Sequence, residues 1–370
     1  MKLKGKVKFV NKDKNQFFSV LKKRVDHYFK ERNISKYANT QMVIKSIVLL
    51  SAYILSFVAI LTLQLPVWAN MLLWFAMGVA LAGIGMSVMH DANHGAYSPN
   101  KTINRIMAHT LNLLGGSTLN WKLQHNILHH TYTNIADMDD DVENKLALKF
   151  SPNTERKGFH QYQYIYAFFF YGLLTLYWAA LKDFVQFFKY NANGVNPNNR
   201  KENTNFLIRM VIDKIVYFFI LLFIPIYFFH LPALQVITGF LLMHFVGGII
   251  LTVVFQLAHV VEGATHPLPD MQGNIDNHWA VHQLYTTVNF SRKNKWLSWY
   301  VGGLNFQVEH HLFPRMCHVH YPNIAPIVKQ TAEEFGVPYQ ENETFGEALK
   351  SHVVALKQIG RLPDINEALA

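Results

Sequence analysis

An all-α integral membrane protein, with four transmembrane helices paired as two hairpins beneath a histidine-rich cytoplasmic cap, is the fold class this sequence predicts. Three observations carry the expectation. Two long stretches contain no Lys or Arg, each splits into two apolar blocks, and histidines gather where blocks end. Of 370 residues, 51% are hydrophobic and 16% charged, against about 25% charged in ordinary soluble domains. That composition excludes a disordered chain and argues against a purely soluble one. The single cysteine, Cys317, excludes an internal disulfide framework and a four-cysteine metal or iron–sulfur site within the chain.

The elements follow in order. The first 36 residues hold 12 Lys or Arg and lack the apolar run of a signal peptide. Val7, Phe9, Phe17, Phe18, Val20 and Leu21 are interleaved with them, so segment 1–43 is expected to lie on an anionic inner leaflet, a solvated basic arm being the bland alternative. Between Lys45 and Lys101, and again between Lys214 and Arg292, no Lys or Arg occurs. A helix needs about 20 apolar residues to cross about 30 Å of hydrocarbon. Spans are accordingly expected at about 44–64, 67–89, 211–229 and 234–258, with turns at Leu65-Pro66 and His230-Leu231-Pro232. Neither turn carries Lys or Arg, which places the N-terminus, the long middle segment and the C-terminus in the cytoplasm. A further apolar block, Tyr162–Phe188, is interrupted by Lys182 and Asp183 and reads as an interfacial helix; Asn191–Asn205 reads as a loop. The membrane and catalytic domain then runs over 44–330, followed by a cytoplasmic tail, 331–370. The net charge of +10 points to membrane lipid, since no nucleic-acid-binding motif accompanies it.

Histidine is the unusual residue, at 19 copies. His90-Asp91-Ala92-Asn93-His94 lies where the second span leaves the membrane, and helical spacing puts His90 and His94 on one face. In His125-Asn126-Ile127-Leu128-His129-His130 the first and second histidines share a face, and His130 is rotated by about 100° toward a second ion. Gln307-Val308-Glu309-His310-His311 repeats the theme near the C-terminal end. One such pair is a weak signal; three clusters with seven histidines on one side of a membrane predict a metal centre. One zinc ion needs about four ligands, so seven or more imidazoles imply two ions. Two redox-active ions beside lipid favour iron and dioxygen chemistry on an acyl chain.

The three clusters, HDANH, HNILHH and QVEHH, resemble the histidine boxes of the membrane fatty acid desaturase family, over about Val67 to Tyr321. The stretch Gly303 to Pro314 is similar to the front-end acyl desaturases, in which Gln replaces the first His of the third box. The resemblance implies a di-iron centre, dioxygen as co-substrate, and a fatty acyl-CoA or acyl-lipid substrate desaturated on the carboxyl side of an existing double bond, at a delta-6 or delta-5 position. It also implies an eighth ligand near the end of the last span, where His259 stands; His282 is a weaker candidate, and Gln307 another. Asp91 and Glu309 sit beside box histidines and are candidates to accept a ring N–H, as is the run Asp139, Asp140 and Asp141. His318 and His320 read as structural. Many front-end members carry a fused haem domain marked by HPGG, a motif this chain lacks. Electrons are then expected from a separate ferredoxin or b-type cytochrome with its reductase, and the bacterial inner membrane is favoured over the endoplasmic reticulum. The rival enzyme is a di-iron hydroxylase of alkanes, sterols or acyl chains. A non-enzymatic haem carrier or metal transporter fits poorly, because the blocks hold few ionisable groups.

Overall fold

The computed structural model describes residues 7–10, 16–143 and 147–363. The described residues are mostly helical; their strands are two short parallel pairs, Lys8–Phe9 with Asn274–Ile275 and Asn289–Phe290 with Glu341–Asn342.

Four helices are long and apolar enough to cross a membrane: Thr40–Thr62, Val67–Asn93, Gly158–Ala192 and Ala233–His259. Three coincide with expected spans. The other, Gly158–Ala192, is the block read from sequence as interfacial, and the segment expected to span at 211–229 is not among the four. The reason lies in the charges of Gly158–Ala192. The Lys182 ammonium sits 4.4 Å from the centre of the Trp178 ring, and Asp183 accepts from Trp178 Nε1 at 3.1 Å and from Lys214 Nζ at 2.7 Å. Lys182 and Asp183 are buried in protein, so the interruption presents no charge to lipid. Segment 211–229 is helical as expected, but it continues a helix that begins at Arg200 and carries Arg209, Asp213 and Lys214. Its Tyr217 hydroxyl lies 2.8 Å from His244 Nε2.

Close backbone approach holds the long helices together. A Cβ added at Gly78 would lie 2.6 Å from the Met243 carbonyl oxygen, and one at Gly248 would lie 2.6 Å from that of Gly172. Small residues at helix crossings let main chains pack where lipid offers no hydrophobic drive. Outward, Ile47, Leu55, Trp68, Leu72 and Leu234 are exposed, the apolar girdle a bilayer covers.

The remaining helices build the cap that carries the histidines. The basic N-terminal segment departs from expectation here. Helix Gln16–Glu31 buries Phe17, Leu21 and Val25 in one cluster with Ile324, Ala325 and Val328 of helix Tyr321–Glu334, and Phe9 packs 5.0 Å from the His282 ring. Its apolar face is therefore spent on the protein's own cap rather than on a leaflet. Residues 1–6 and 11–15 lie outside the described set.

Candidate metal centre

Each histidine box is delivered by a helix end. The Val67–Asn93 helix widens through a π-helical turn, Ile84–Val88, and then presents His90 on its last turn, with His94 at its C-cap. The second box rides on a helix over 118–132 whose Lys122–His129 stretch is π-helical. That differs from the α-helical geometry expected from spacing. With i→i+5 bonding the wider turn carries His129 and His130 to either side of the position above His125. Their rings lie 5.1 and 4.8 Å from it, so all three face one way. The third box is the short helix Gln307–Leu312, buried throughout. His259 closes the Ala233–His259 helix.

These widely separated segments meet. One donor atom from each of His90, His94, His125 and His310 falls within 4.8 Å of the others, and the same holds for His129, His259 and His311. His130 stands between the groups, its ring 4.6 Å from His310 and 4.5 Å from His311. Its Nε2 lies 3.3 Å from His125 Nε2, and His90 Nε2 lies 3.2 Å from the same atom. All eight histidines of the expected ligand set are thus brought to one buried place.

The donor set suits metal ions. The Nε2 atoms of His94, His259, His310 and His311 are buried with no hydrogen-bond partner among the described residues, a costly state for a polar group unless an ion completes it. Burial, reinforced by the neighbouring imidazoles, holds His94, His130, His310 and His311 far below the usual imidazole range. His125 is lowered to about 3, again chiefly by burial. Neutral imidazole is the form that ligates.

The opposite ring edges are fixed by the protein. His129 Nδ1–H donates to Asp139 Oδ2 at 2.9 Å, His311 Nδ1–H to Gln283 Oε1 at 2.8 Å, and His259 Nδ1–H to the Thr286 carbonyl at 3.2 Å. His125 Nδ1 lies 3.4 Å from Asp141 Oδ2, and His310 Nδ1 lies 3.2 Å from the Tyr321 hydroxyl. Where the partner can only accept, the bond selects the tautomer that turns Nε2 inward. Asp139 is itself braced by the amides of Asn134 and Asp141, at 2.9 and 3.0 Å.

Three candidates turn to other partners. The His282 Nε2–H donates to the Thr133 carbonyl at 2.9 Å, and burial lowers its pKa to about 4. The neighbouring Gln283, about 100° around the same helix, is the residue that reaches His311. Asp91 turns to His318, whose Nδ1 lies 2.8 Å away, and stays 3.9 Å from His90 Nδ1. His318 Nε2 meets Lys45 Nζ at 2.7 Å, so both ring nitrogens are engaged. Glu309 accepts from Tyr339 at 2.7 Å and Asn289 at 2.9 Å, with its pKa raised by burial. Gln307 is buried at the start of the third-box helix. Gln283 and Tyr321 were not among the sequence candidates; the one local signal for Gln283 is its place beside His282.

Comparison with known proteins agrees with this geometry. Residues 66–343 match the family model described as fatty acid desaturase. The chain is 34% identical to an sn-1 linoleoyl-lipid 6-desaturase of Arthrospira platensis, over 94% of each chain. It is 35% identical to the protein of the same name from Synechocystis, over 96% of this chain and 98% of that one. An acyl-lipid (8-3)-desaturase of Physcomitrium patens is 33% identical over 96% of this chain and 74% of its own length. A buried convergence of imidazoles at the end of membrane-length helices, in a chain of this likeness, identifies a member of the fatty acid desaturase family, an oxidoreductase of acyl chains.

Proposed function

We propose that the chain introduces a cis double bond into an acyl chain held on a lipid, using two iron ions. His90, His94, His125 and His310 would hold one ion, and His129, His259 and His311 the other, with His130 within reach of both. When bound, iron supplies the redox chemistry: dioxygen, two electrons and two protons, together with two hydrogens from adjacent methylenes, become two waters, leaving the double bond. The residues of the chain orient and enclose. Asp139, Gln283 and Thr286 fix their rings, and Asp141 and Tyr321 stand against two more. The surrounding helices keep the site dry, which protects the chemistry from water.

The observation that carries the reading is the convergence of seven imidazoles into two adjoining groups, with His130 between them. The names of the relatives favour an acyl lipid over coenzyme A, and the sixth carbon as the position attacked. Electrons would come from a separate ferredoxin or b-type cytochrome. Cytoplasmic termini are supported by the turn between the first two membrane-length helices, which carries no Lys or Arg. The test is the fatty-acid profile of cells expressing the chain with a ferredoxin–reductase pair, fed oleate and linoleate, with His310→Ala as control. A new double bond on the carboxyl side of the existing one, absent from the control, is expected. A hydroxylated product would move the enzyme to the hydroxylase class.

A further inference from the structure

The positive charge of the chain is concentrated at one end. Its first 36 residues hold 12 Lys or Arg against Asp13, Asp26 and Glu31, a surplus of nine within the chain's net +10. Helix Gln16–Glu31 turns Phe17, Leu21 and Val25 to the cap, which leaves Lys22, Lys23 and Lys30 exposed on its other side. Arg24 is paired with Glu334 at 2.7 Å. Beside these lysines the cap surface opens on three aromatic rings. Phe18, one turn before Lys22, lies 5.6 Å from Trp279 and 5.9 Å from Phe313, and all three are half-exposed. Phe313 stands two residues after His311, and Arg315 is exposed two residues further on. Trp279 reaches inward. Its Nε1–H donates to the His130 carbonyl at 2.9 Å. The His130 ring stands between the two histidine groups, 4.6 Å from His310 and 4.5 Å from His311. A ring at the surface is thus one hydrogen bond from the main chain of the histidine that neighbours both groups.

From this arrangement we infer that the lysine face of helix Gln16–Glu31 docks an acidic one-electron carrier protein, an iron–sulfur ferredoxin, and that Trp279 conducts its electrons to His130. The inference rests on the external donor proposed above. Charge favours this occupant, because a carboxylate-rich protein is drawn to a cationic face at long range. An anionic leaflet also attracts lysines, but the apolar side that a surface helix sinks into lipid is here packed in the cap. The electron count closes. Each docked donor gives up one electron, its cluster passing from the reduced to the oxidised form. Two successive dockings furnish the two electrons consumed per double bond, and the two protons come from solvent. The indole undergoes no net oxidation or reduction. Its N–H bond to the His130 carbonyl narrows the gap that an electron crosses between the surface and the histidines.

The experiment uses the purified, iron-loaded protein in nanodiscs of neutral lipid, with a plant-type ferredoxin. Two quantities are read: the Kd of the ferredoxin by titration, and the rate at which reduced ferredoxin is reoxidised in stopped flow. Lys22→Glu combined with Lys23→Glu should weaken binding about tenfold without moving the melting temperature, and raising salt from about 0.01 to about 0.15 M should weaken wild-type binding likewise. Lys293→Glu combined with Lys295→Glu, a charge reversal of equal size on another exposed stretch, should leave the Kd unmoved. Trp279→Phe keeps a ring but removes the N–H, and should slow reoxidation severalfold at unchanged Kd and unchanged iron content. Phe18→Leu should slow it too, and covers the case in which the tryptophan variant fails to fold. An unmoved Kd in the Lys22 and Lys23 pair, an equal loss in the Lys293 and Lys295 pair, or unaltered reoxidation in Trp279→Phe and Phe18→Leu would overturn the inference. So would a Lys22 and Lys23 pair whose effect is confined to nanodiscs of anionic lipid, which would assign the face to the leaflet. The desaturase reading is judged apart. It fails if the wild-type protein forms no double bond with either ferredoxin or reduced methyl viologen, a small donor that needs no docking.

Discussion

The two histidine groups are built from the same side chain but are held differently. In the group of His129, His259 and His311, every Nδ1 donates to an oxygen that can only accept, at 2.8 to 3.2 Å. In the group of His90, His94, His125 and His310, the holding is looser. His125 lies 3.4 Å from Asp141, His310 faces a hydroxyl at 3.2 Å, and His90 Nδ1 is buried with no hydrogen-bond partner among the described residues, Asp91 staying 3.9 Å away. Orientation of a ligating ring by its far nitrogen sets both tautomer and basicity. The difference teaches that the protein pre-organises one group of rings to receive an ion, while it holds the rings of the other less firmly.

Substitutions separate the two groups. His129→Ala and His310→Ala each remove a ring from one group. Both should lower product formation by more than about a thousandfold while the protein still inserts in the membrane; full activity in either would remove that residue from the ligand set. Asp139→Asn should cost 10- to 100-fold in activity or iron affinity, the range typical of a lost partner behind a metal-bound ring. Asp141→Asn should cost only a few-fold, because its contact with His125 is longer. Equal losses in the two would erase the distinction between the groups.

Acid provides a milder probe. Burial lowers His282 and His352 to about 4 and His125 to about 3, from a usual 6.5. Below pH 6.5 the unfolded chain takes up protons that these folded histidines refuse, so the stability present above that pH is lost as pH falls toward 4. At pH 5 the loss is about 2 kcal/mol for each such histidine. A melting temperature that falls between pH 7.5 and 5 is expected; an unchanged one would contradict the burial of these rings in neutral form. Smallest of all, Tyr321→Phe removes one hydroxyl from His310 and should change kcat by no more than a few-fold.

Much of this was legible in the sequence, and the exceptions have physical causes. The box histidines announce themselves because helical spacing places them on one face, whatever the rest of the fold does. The π-helical turn through His125 to His129 does not, because hydrogen-bond register is set by packing rather than by residue type. Gln283 and Tyr321 reach the box histidines only through tertiary contacts across 28 and 11 residues. Asp91 was expected at a box histidine, but the buried Lys45 and His318 draw its carboxylate away. The membrane length of helix Gly158–Ala192 was hidden for a similar reason. Lys182 and Asp183 look like interruptions until Trp178 and Lys214 are seen beside them. The apolar residues of the basic N-terminal helix fit a membrane surface equally well in one dimension, and only the fold shows them against helix Tyr321–Glu334.

The central claim is that two ions occupy two unequal groups of histidines. Iron content per chain, with Mössbauer spectra of protein loaded with a limiting amount of the isotope, tests it most directly. The account predicts two irons per chain at saturation, early filling of the His129, His259 and His311 group, and about one iron in His259→Ala. A wild-type protein that saturates at one iron, or a His259→Ala variant that still binds two, would contradict it.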